Sequence, residues 1–314
     1  MAELIIIRGN SGSGKSTLAK EIHRPFRGRA LLIPQDTVRR EMLGARDDAN
    51  TPAIPLIAHL LEYGCNHCAI TILEGILNAE RYRPAFERAR SLFGDAHIHA
   101  FRFDLPFEET LKRHQTKPNR SEFGEAQMRE WWLENDALSG IPETIFTKET
   151  SLGQAIRIIL NAAAPIRRRP AEARDAETLV QIYDSAFHAD FVRFGECPGY
   201  GRSVSEMEAS IARYPKQIIE RAGVPIGVLS HENRGGGDYH IGCLCIKPEF
   251  QNQGAGARAF QDFLAAHADW TRIALETPLE KEENIRFYTE KCQMRLTGIN
   301  REGNIPLAIL ERNR

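Results

Sequence analysis

The chain has 314 residues, 42% hydrophobic and 26% charged, with a formal net charge of -1 at pH 7. That length exceeds one ordinary domain, and the composition is that of a globular protein with material for two cores. Near-neutral charge argues against a broad polyanion-binding surface, and so against nucleic acid as the main partner, though not against a local basic groove. No apolar run approaches membrane-spanning length, so a cytoplasmic protein with no membrane partner is expected.

The first element is the apolar run Leu4-Ile5-Ile6-Ile7, read as a buried strand. It leads into Gly9-Asn10-Ser11-Gly12-Ser13-Gly14-Lys15-Ser16 and then Thr17-Leu18-Ala19-Lys20, which opens a helix. Strand, glycine loop and helix form the context of a phosphate-binding loop. Glycines let the backbone curl with its N–H groups inward, and the helix start adds the positive end of its dipole. Lys15 is expected to reach the β- and γ-phosphates and the Ser16 hydroxyl to ligand Mg²⁺. Residues Gly9, Asn10, Ser11, Gly12, Ser13, Gly14, Lys15, Ser16 and Thr17 thus form an expected site for ATP and Mg²⁺.

Ala30-Leu31-Leu32-Ile33-Pro34-Gln35-Asp36 reads as a second strand ending in a carboxylate, followed by a helical turn through Arg39. In an open parallel sheet, ligands sit beyond the carboxyl ends of the strands, which puts Asp36 beside the phosphates. There it could take the proton of an attacking hydroxyl, or serve as a helix N-cap, roles that are compatible. Arg39, one turn on, could hold an acceptor anion. A helix over 54–63 precedes Ala69-Ile70-Thr71-Ile72-Leu73-Glu74-Gly75, a buried strand that again ends in an acid. Glu74 is placed to hold Mg²⁺ or to contact the acceptor.

Cys65-Asn66-His67-Cys68 has the spacing of half a zinc site, but no second pair supplies the other ligands. The six cysteines therefore read as buried reduced thiols, with no structural metal. A helix over 81–93 and a strand over 97–104 follow, with His97 and His99 on one strand face. Pro106-Phe107-Glu108-Glu109-Thr110-Leu111 begins a helix with a basic end. Arg113, His114, Lys117 and Arg120 there suit either a lid over the triphosphate or a solvated helix terminus. Trp131 and Trp132 are read as adjacent helix residues, one of them in the core. A strand at 145–147 and a helix over 154–160 close this half.

Gly9 to Ser16, Pro34-Gln35-Asp36 with Arg39, Leu73-Glu74-Gly75, and the segment 104–111 with Arg113 resemble the small P-loop kinases. More narrowly, they are similar to the zeta-toxin and chloramphenicol-phosphotransferase branch. The resemblance implies that Asp36 is the catalytic base and that Arg113, with Arg120, belongs to the lid. It leaves the hydroxyl acceptor open among sugars, antibiotics and nucleic-acid ends.

Asn161-Ala162-Ala163-Ala164-Pro165 has little to pack and ends in proline, so a domain boundary is expected there, dividing 1–164 from 165–314. Helices over 175–187 and 205–212 precede a hairpin, 217–220 with 225–230, turned at Ala222-Gly223. The loop holding His188, Asp190, Arg193, Glu196 and Tyr200 is the expected source of acceptor contacts, Asp190 or Glu196 for a cationic amine. After a strand over 239–246 comes Gln251-Asn252-Gln253-Gly254-Ala255-Gly256, opening a helix that runs to Ala266. Backbone N–H groups at that helix start suit a pyrophosphate.

A strand over 272–277 and then Asn284-Ile285-Arg286-Phe287-Tyr288-Thr289-Glu290-Lys291 complete the pattern. Gln251, Gly254 and Gly256, with Asn284, Phe287, Tyr288 and Lys291, look like the loop and downstream segment of the GCN5-related N-acetyltransferases. The resemblance implies acetyl-CoA held by Cys245, Ile246, residues Gln251, Asn252, Gln253, Gly254, Ala255 and Gly256, and Asn284. It makes Tyr288 the acid that protonates the leaving thiolate. Glu276 is the first candidate for the general base and His240 the second. Lys291-Cys292-Gln293-Met294 departs from the family's usual glycine after the lysine.

The expected fold is α/β: a P-loop parallel sheet with flanking helices, then an α+β domain on a mixed, mostly antiparallel sheet. The expected function is bifunctional, phosphorylating a small-molecule hydroxyl and acetylating an amine. The alternatives are an acetyltransferase gated by a non-catalytic ATP module, and a nucleic-acid end kinase fused to an acetyltransferase.

Overall fold

A computed structural model describes residues 2–115, 124–302 and 305–314. The chain divides into two compact units, Met1–Pro165 and Ile166–Arg314. Among the described residues no helix is long and apolar enough to cross a membrane.

The first unit runs β1 (Glu3–Gly9), α1 (Lys15–His23), β2 (Ala30–Pro34), α2 (Ala53–His67), β3 (Ile70–Gly75), α3 (Arg83–Phe93), β4 (Ile98–Phe103), α4 (Phe107–Gln115), α5 (Glu125–Glu130), β5 (Glu143–Phe146) and α6 (Leu152–Ala163). Its five strands are all parallel, in the order β2-β3-β1-β4-β5. Leu4, Ile5, Ile6 and Ile7 of the central strand are fully buried, as a parallel strand covered on both faces requires. The register sets Glu74 beside Ile7, so β1 and β3 end together where the glycine loop begins. α6 starts with a Ser151–Gln154 capping box, Gln154 N donating to Ser151 Oγ at 3.3 Å.

The second unit runs β6 (Ile166–Pro170), α7 (Ala176–Phe194), α8 (Val204–Arg213), β7 (Lys216–Arg221), β8 (Val224–Gly235), β9 (Asp238–Ile246), α9 (Ala255–Ala266), β10 (Arg272–Pro278), α10 (Glu282–Arg286), β11 (Arg295–Glu302) and β12 (Ile305–Asn313). Its seven-stranded sheet has the order β11-β12-β10-β9-β8-β7-β6. Among the described residues of this sheet, the β9–β10 pair is parallel and the other pairs are antiparallel. The β7–β8 turn puts Ala222 at φ 50° and Gly223 at φ 70°, the two successive positive φ values that match a tight hairpin to strand twist. Leu179, Ile182 and Tyr183 of α7 pack with Met207 of α8 on Ile218, Val228 and Cys245 of the sheet.

Three local readings need correction. α7 does not stop near residue 187 but continues to Gly195, a left-handed cap at φ 75°. His188, Asp190 and Arg193 are therefore helical rather than in a loop. Trp131 and Trp132 lie just beyond α5, and both are only half-buried. Of the cysteines, Cys245 and Cys292 are buried, whereas Cys65, Cys68, Cys197 and Cys243 are half-buried.

Candidate active sites

In the first unit, Gly12 and Gly14 take φ values of 85° and 101°, and Gly14 caps α1. The first-turn N–H groups of α1 have no acceptor within the helix and face the loop's concavity. Lys15 is 8% exposed, and its ammonium makes one long contact, to Asn10 O at 3.4 Å. Ser13 Oγ is buried without a partner. This cradle of free donors beside a buried cation fits a polyphosphate.

Ser16 Oγ donates to Glu74 Oε2 at 3.1 Å. Burial pushes the Glu74 carboxyl up from its ordinary range, and Lys15 partly offsets that. A hydroxyl and a carboxylate converging beside the loop form the donor pair a hard, oxygen-liganded cation would use. Arg113 on α4 leans over the loop, donating to Ser13 O at 3.1 Å and to Glu109 Oε1 at 2.6 Å. Gly12 allows this approach: a Cβ there would stand 2.4 Å from Thr110 O. Lys117 and Arg120 lie outside the described residues.

Asp36 occupies an N-cap position but makes no capping bond. Its carboxylate instead pairs with Arg39 at 2.9 Å and lies 3.5 Å from Arg40. It borders a cleft of about 610 Å³ with Arg39, Arg40, Arg81, Asp47 and Trp131. Beneath that cleft, Gln35 donates to Tyr82 Oη at 2.7 Å and Tyr82 donates to Asp47 at 2.9 Å. Gly75 is needed here, since a Cβ would lie 2.3 Å from Gln35 Oε1.

Sequence reading missed this network, as it missed the buried Arg8. That guanidinium is 1% exposed, held by Asp136 at 2.5 Å, Glu143 at 2.8 Å and Leu77 O. An arginine closing an apolar strand was the available signal. His97 and His99 both meet Glu3, each at 3.0 Å.

In the second unit, β9 and β10 pair only from Asp238/Arg272 to Ile241/Leu275. Beyond that point β9 stays with β8 while β10 stays with β12, so the two strands part. Glu276 is the first β10 residue past the fork, exposed, and accepts from Asn300 Nδ2 at 3.2 Å. The edge of β9 over residues 242–246 is thereby left open toward the gap, with backbone groups available to an extended amide-containing chain.

At the end of β9 the loop turns into α9 through Asn252 at φ 59° and Gly254 at φ 83°. A Cβ on Gly254 would meet nothing within 4 Å, which leaves the α9 N-terminus accessible. The open strand edge and this free helix start fit a cofactor with a polyamide arm and a pyrophosphate. Gln251 Nε2 donates to Ile246 O at 2.8 Å and so fixes the loop to the strand. A Cβ on Gly256 would lie 3.2 Å from the Phe287 ring, so that glycine permits helix packing.

Tyr288 is buried, and burial raises its phenol well above the ordinary range, with Cys292, Cys243 and Cys245 adding in the same direction. Asn284 Nδ2 donates to Thr277 Oγ1 at 2.9 Å. Asp190 pairs with Lys281 at 2.8 Å, both largely buried. Asp190, Glu196, His240 and Glu276 share a cleft of about 780 Å³. Burial also lowers the His240 imidazole from its ordinary value.

Residues 4–133 match the family model of the AAA domain, and residues 179–294 match that of the acetyltransferase (GNAT) family. Among solved structures, an acetyltransferase from Thermus thermophilus is 15% identical, with 48% of this chain and 97% of that one covered and a TM-score of 0.41. The PaiA N-acetyltransferase from Thermoplasma acidophilum, solved with coenzyme A, is 14% identical, with 48% and 99% covered and a TM-score of 0.40. A GNAT-family acetyltransferase from Streptococcus pneumoniae is 15% identical, with 47% and 98% covered and a TM-score of 0.39. No match was found among curated proteins.

Proposed function

For a chain that joins a P-loop domain of the AAA kind to a domain of the GNAT acetyltransferase family, we propose two transferase activities. The first unit phosphorylates a small-molecule hydroxyl, and the second acetylates an amine. The observation that carries this reading is a repeated arrangement. In each unit a strand, a glycine turn and a free helix start form an anion cradle, with ionisable groups set beside it.

In the first unit, Mg·ATP when bound supplies the phosphoryl group. Ser16 and Glu74 would hold the metal, and Lys15, the loop N–H groups and Arg113 would balance the phosphate charge. Asp36 takes the proton of the acceptor hydroxyl, and its pairing with Arg39 orients the carboxylate toward the cleft.

In the second unit, acetyl-CoA when bound supplies the activated acetyl group. The edge of β9 at Cys245 and Ile246 and the start of α9 would hold its arm and pyrophosphate. Glu276 receives the proton that the acceptor amine loses. Tyr288 stays protonated at neutral pH and gives its proton to the departing sulfur. Asn284 keeps the end of β10 in place through Thr277.

Both activities are measurable on one preparation: coenzyme A release with a panel of primary amines, and transfer of labelled phosphate from ATP to a panel of alcohols and amino alcohols. Asp36→Ala is expected to abolish phosphoryl transfer alone and Tyr288→Phe to cripple acetyl transfer alone. Acetylation that depends on ATP, with no phosphorylated product, would overturn the kinase half and make it a gating module.

A further inference from the structure

Lys216, the first residue of β7, is 5% exposed, yet its ammonium has one neutral partner, Ser230 Oγ at 3.2 Å. Among the described residues no carboxylate lies within ion-pair distance of it. The Tyr214 ring, 5.9 Å away, and the Cys243 thiol are its other electrostatic supports. Burial lowers the Lys216 pKa; Cys243 opposes that effect and the nearby Arg202 adds to it. Arg202 itself donates to Pro198 O at 2.7 Å and likewise has no carboxylate at ion-pair distance among the described residues.

Both cations line a cleft of about 420 Å³. Its one carboxylate, Glu232, is 3.2 Å from Arg234, and burial holds the lining His231 at a pKa of about 4, neutral at physiological pH. A buried ammonium without a counter-charge is costly, and a bound anion would offset that cost. This cleft continues into the one holding Glu276 and Asp190: Phe187, Gly199, His240 and Gly242 line both.

We propose that Lys216, Ser230 and Arg202 form an anion subsite, so that the acceptor of acetyl transfer is an amine that also bears a phosphate monoester or a carboxylate. The amine rests on the acetyltransferase reading; the anion subsite stands on its own geometry. If the anion is a phosphate, the phosphorylated amino alcohol made by the first unit has the chemistry of the second unit's acceptor.

The test uses the full chain carrying Lys15→Ala, which removes the cation of the first unit's phosphate cradle; the variants below separate the subsite from the cradle at the start of α9. Melting temperature is followed against inorganic phosphate and, separately, acetate, with sodium chloride holding ionic strength constant. Acetyl-CoA is titrated on the same samples. At least one of the two anions is expected to raise the melting temperature beyond chloride, and its identity names the acceptor class. Lys216→Met should weaken that anion about tenfold or more while raising the ligand-free melting temperature.

Arg202→Gln, at a half-exposed position, should weaken the same anion and decides the matter if Lys216→Met does not fold. No shift with either anion, or shifts unchanged in the variants, would overturn the subsite. An anion shift without an acetyl-CoA shift would leave the subsite standing and remove the acetyltransferase reading.

Discussion

Asn10 and Leu133 hold each other through a reciprocal pair of hydrogen bonds: Asn10 Nδ2 donates to Leu133 O at 2.9 Å, and Leu133 N donates to Asn10 Oδ1 at 3.0 Å. The side chain of a glycine-loop residue thereby pins the segment carrying Trp131 and the wall of the Asp36 cleft. Asn10→Ala removes both bonds and should lower stability by about 1–2 kcal/mol in urea unfolding. The same variant should raise KM for the hydroxyl acceptor more than KM for ATP. An equal rise in both would detach the clasp from the cleft.

Glu74 is expected to make Mg²⁺ binding pH-dependent. Its carboxyl is raised by burial, so the folded state favours the protonated form, and the stability this group lends is lost as pH rises through its folded value. Protons and Mg²⁺ would compete for the same oxygens. Mg²⁺ affinity should therefore climb with pH through a range above that of an ordinary glutamate, and Glu74→Gln should both weaken binding and flatten the climb. Calorimetric titration of Mg²⁺ with ATP at several pH values reads this directly.

Tyr288→Phe keeps the ring in its buried place and removes only the proton. Acetyl transfer should fall by about a hundredfold in kcat, with acetyl-CoA affinity unchanged. In the parent protein the loss of rate at high pH should begin above the ordinary tyrosine range, since burial raises the phenol. A variant with full kcat would assign the acid to another group.

The Asp190–Lys281 pair ties α7 to the segment before α10 with both charges largely buried. Lys281→Met leaves the carboxylate buried alone and should cost about 3 kcal/mol, while the double variant with Asp190→Leu should recover most of it. Chemical denaturation of the four proteins in the cycle measures the coupling. Additive effects would mean the pair holds nothing.

What the sequence made legible is what neighbours in the chain determine. The glycine loop, the acid near the end of β3 and the turn at Ala222-Gly223 all follow from adjacent residues. The α7 terminus was misread at 187, though Gly195, whose left-handed conformation ends the helix and puts Asp190 on it, was the available signal. The clasp of Asn10 to Leu133, separated by 123 residues, and the Arg8–Glu143 bond, separated by 135, depend on the closed sheet and leave no local trace. Asp36 was read as the last residue of a strand, whereas β2 ends at Pro34 and Asp36 opens the following helical turn, and its pairing with Arg39 was not foreseen. The isolation of Lys216 is a property of what does not surround it, which only three-dimensional packing reveals.

The central claim is that the chain carries two separate ligand sites, one for Mg·ATP and one for acetyl-CoA. Thermal stabilisation by each ligand in the parent, Lys15→Ala and Gly254→Trp proteins tests it most directly, since a ligand that binds only the folded state raises the melting temperature. Tryptophan at position 254 meets a backbone at φ 83° and fills the open approach to α9. Both ligands are expected to stabilise the parent, and each variant to lose the response to its own ligand alone. No shift with acetyl-CoA at saturating concentration, or loss of both responses in either variant, would contradict the claim.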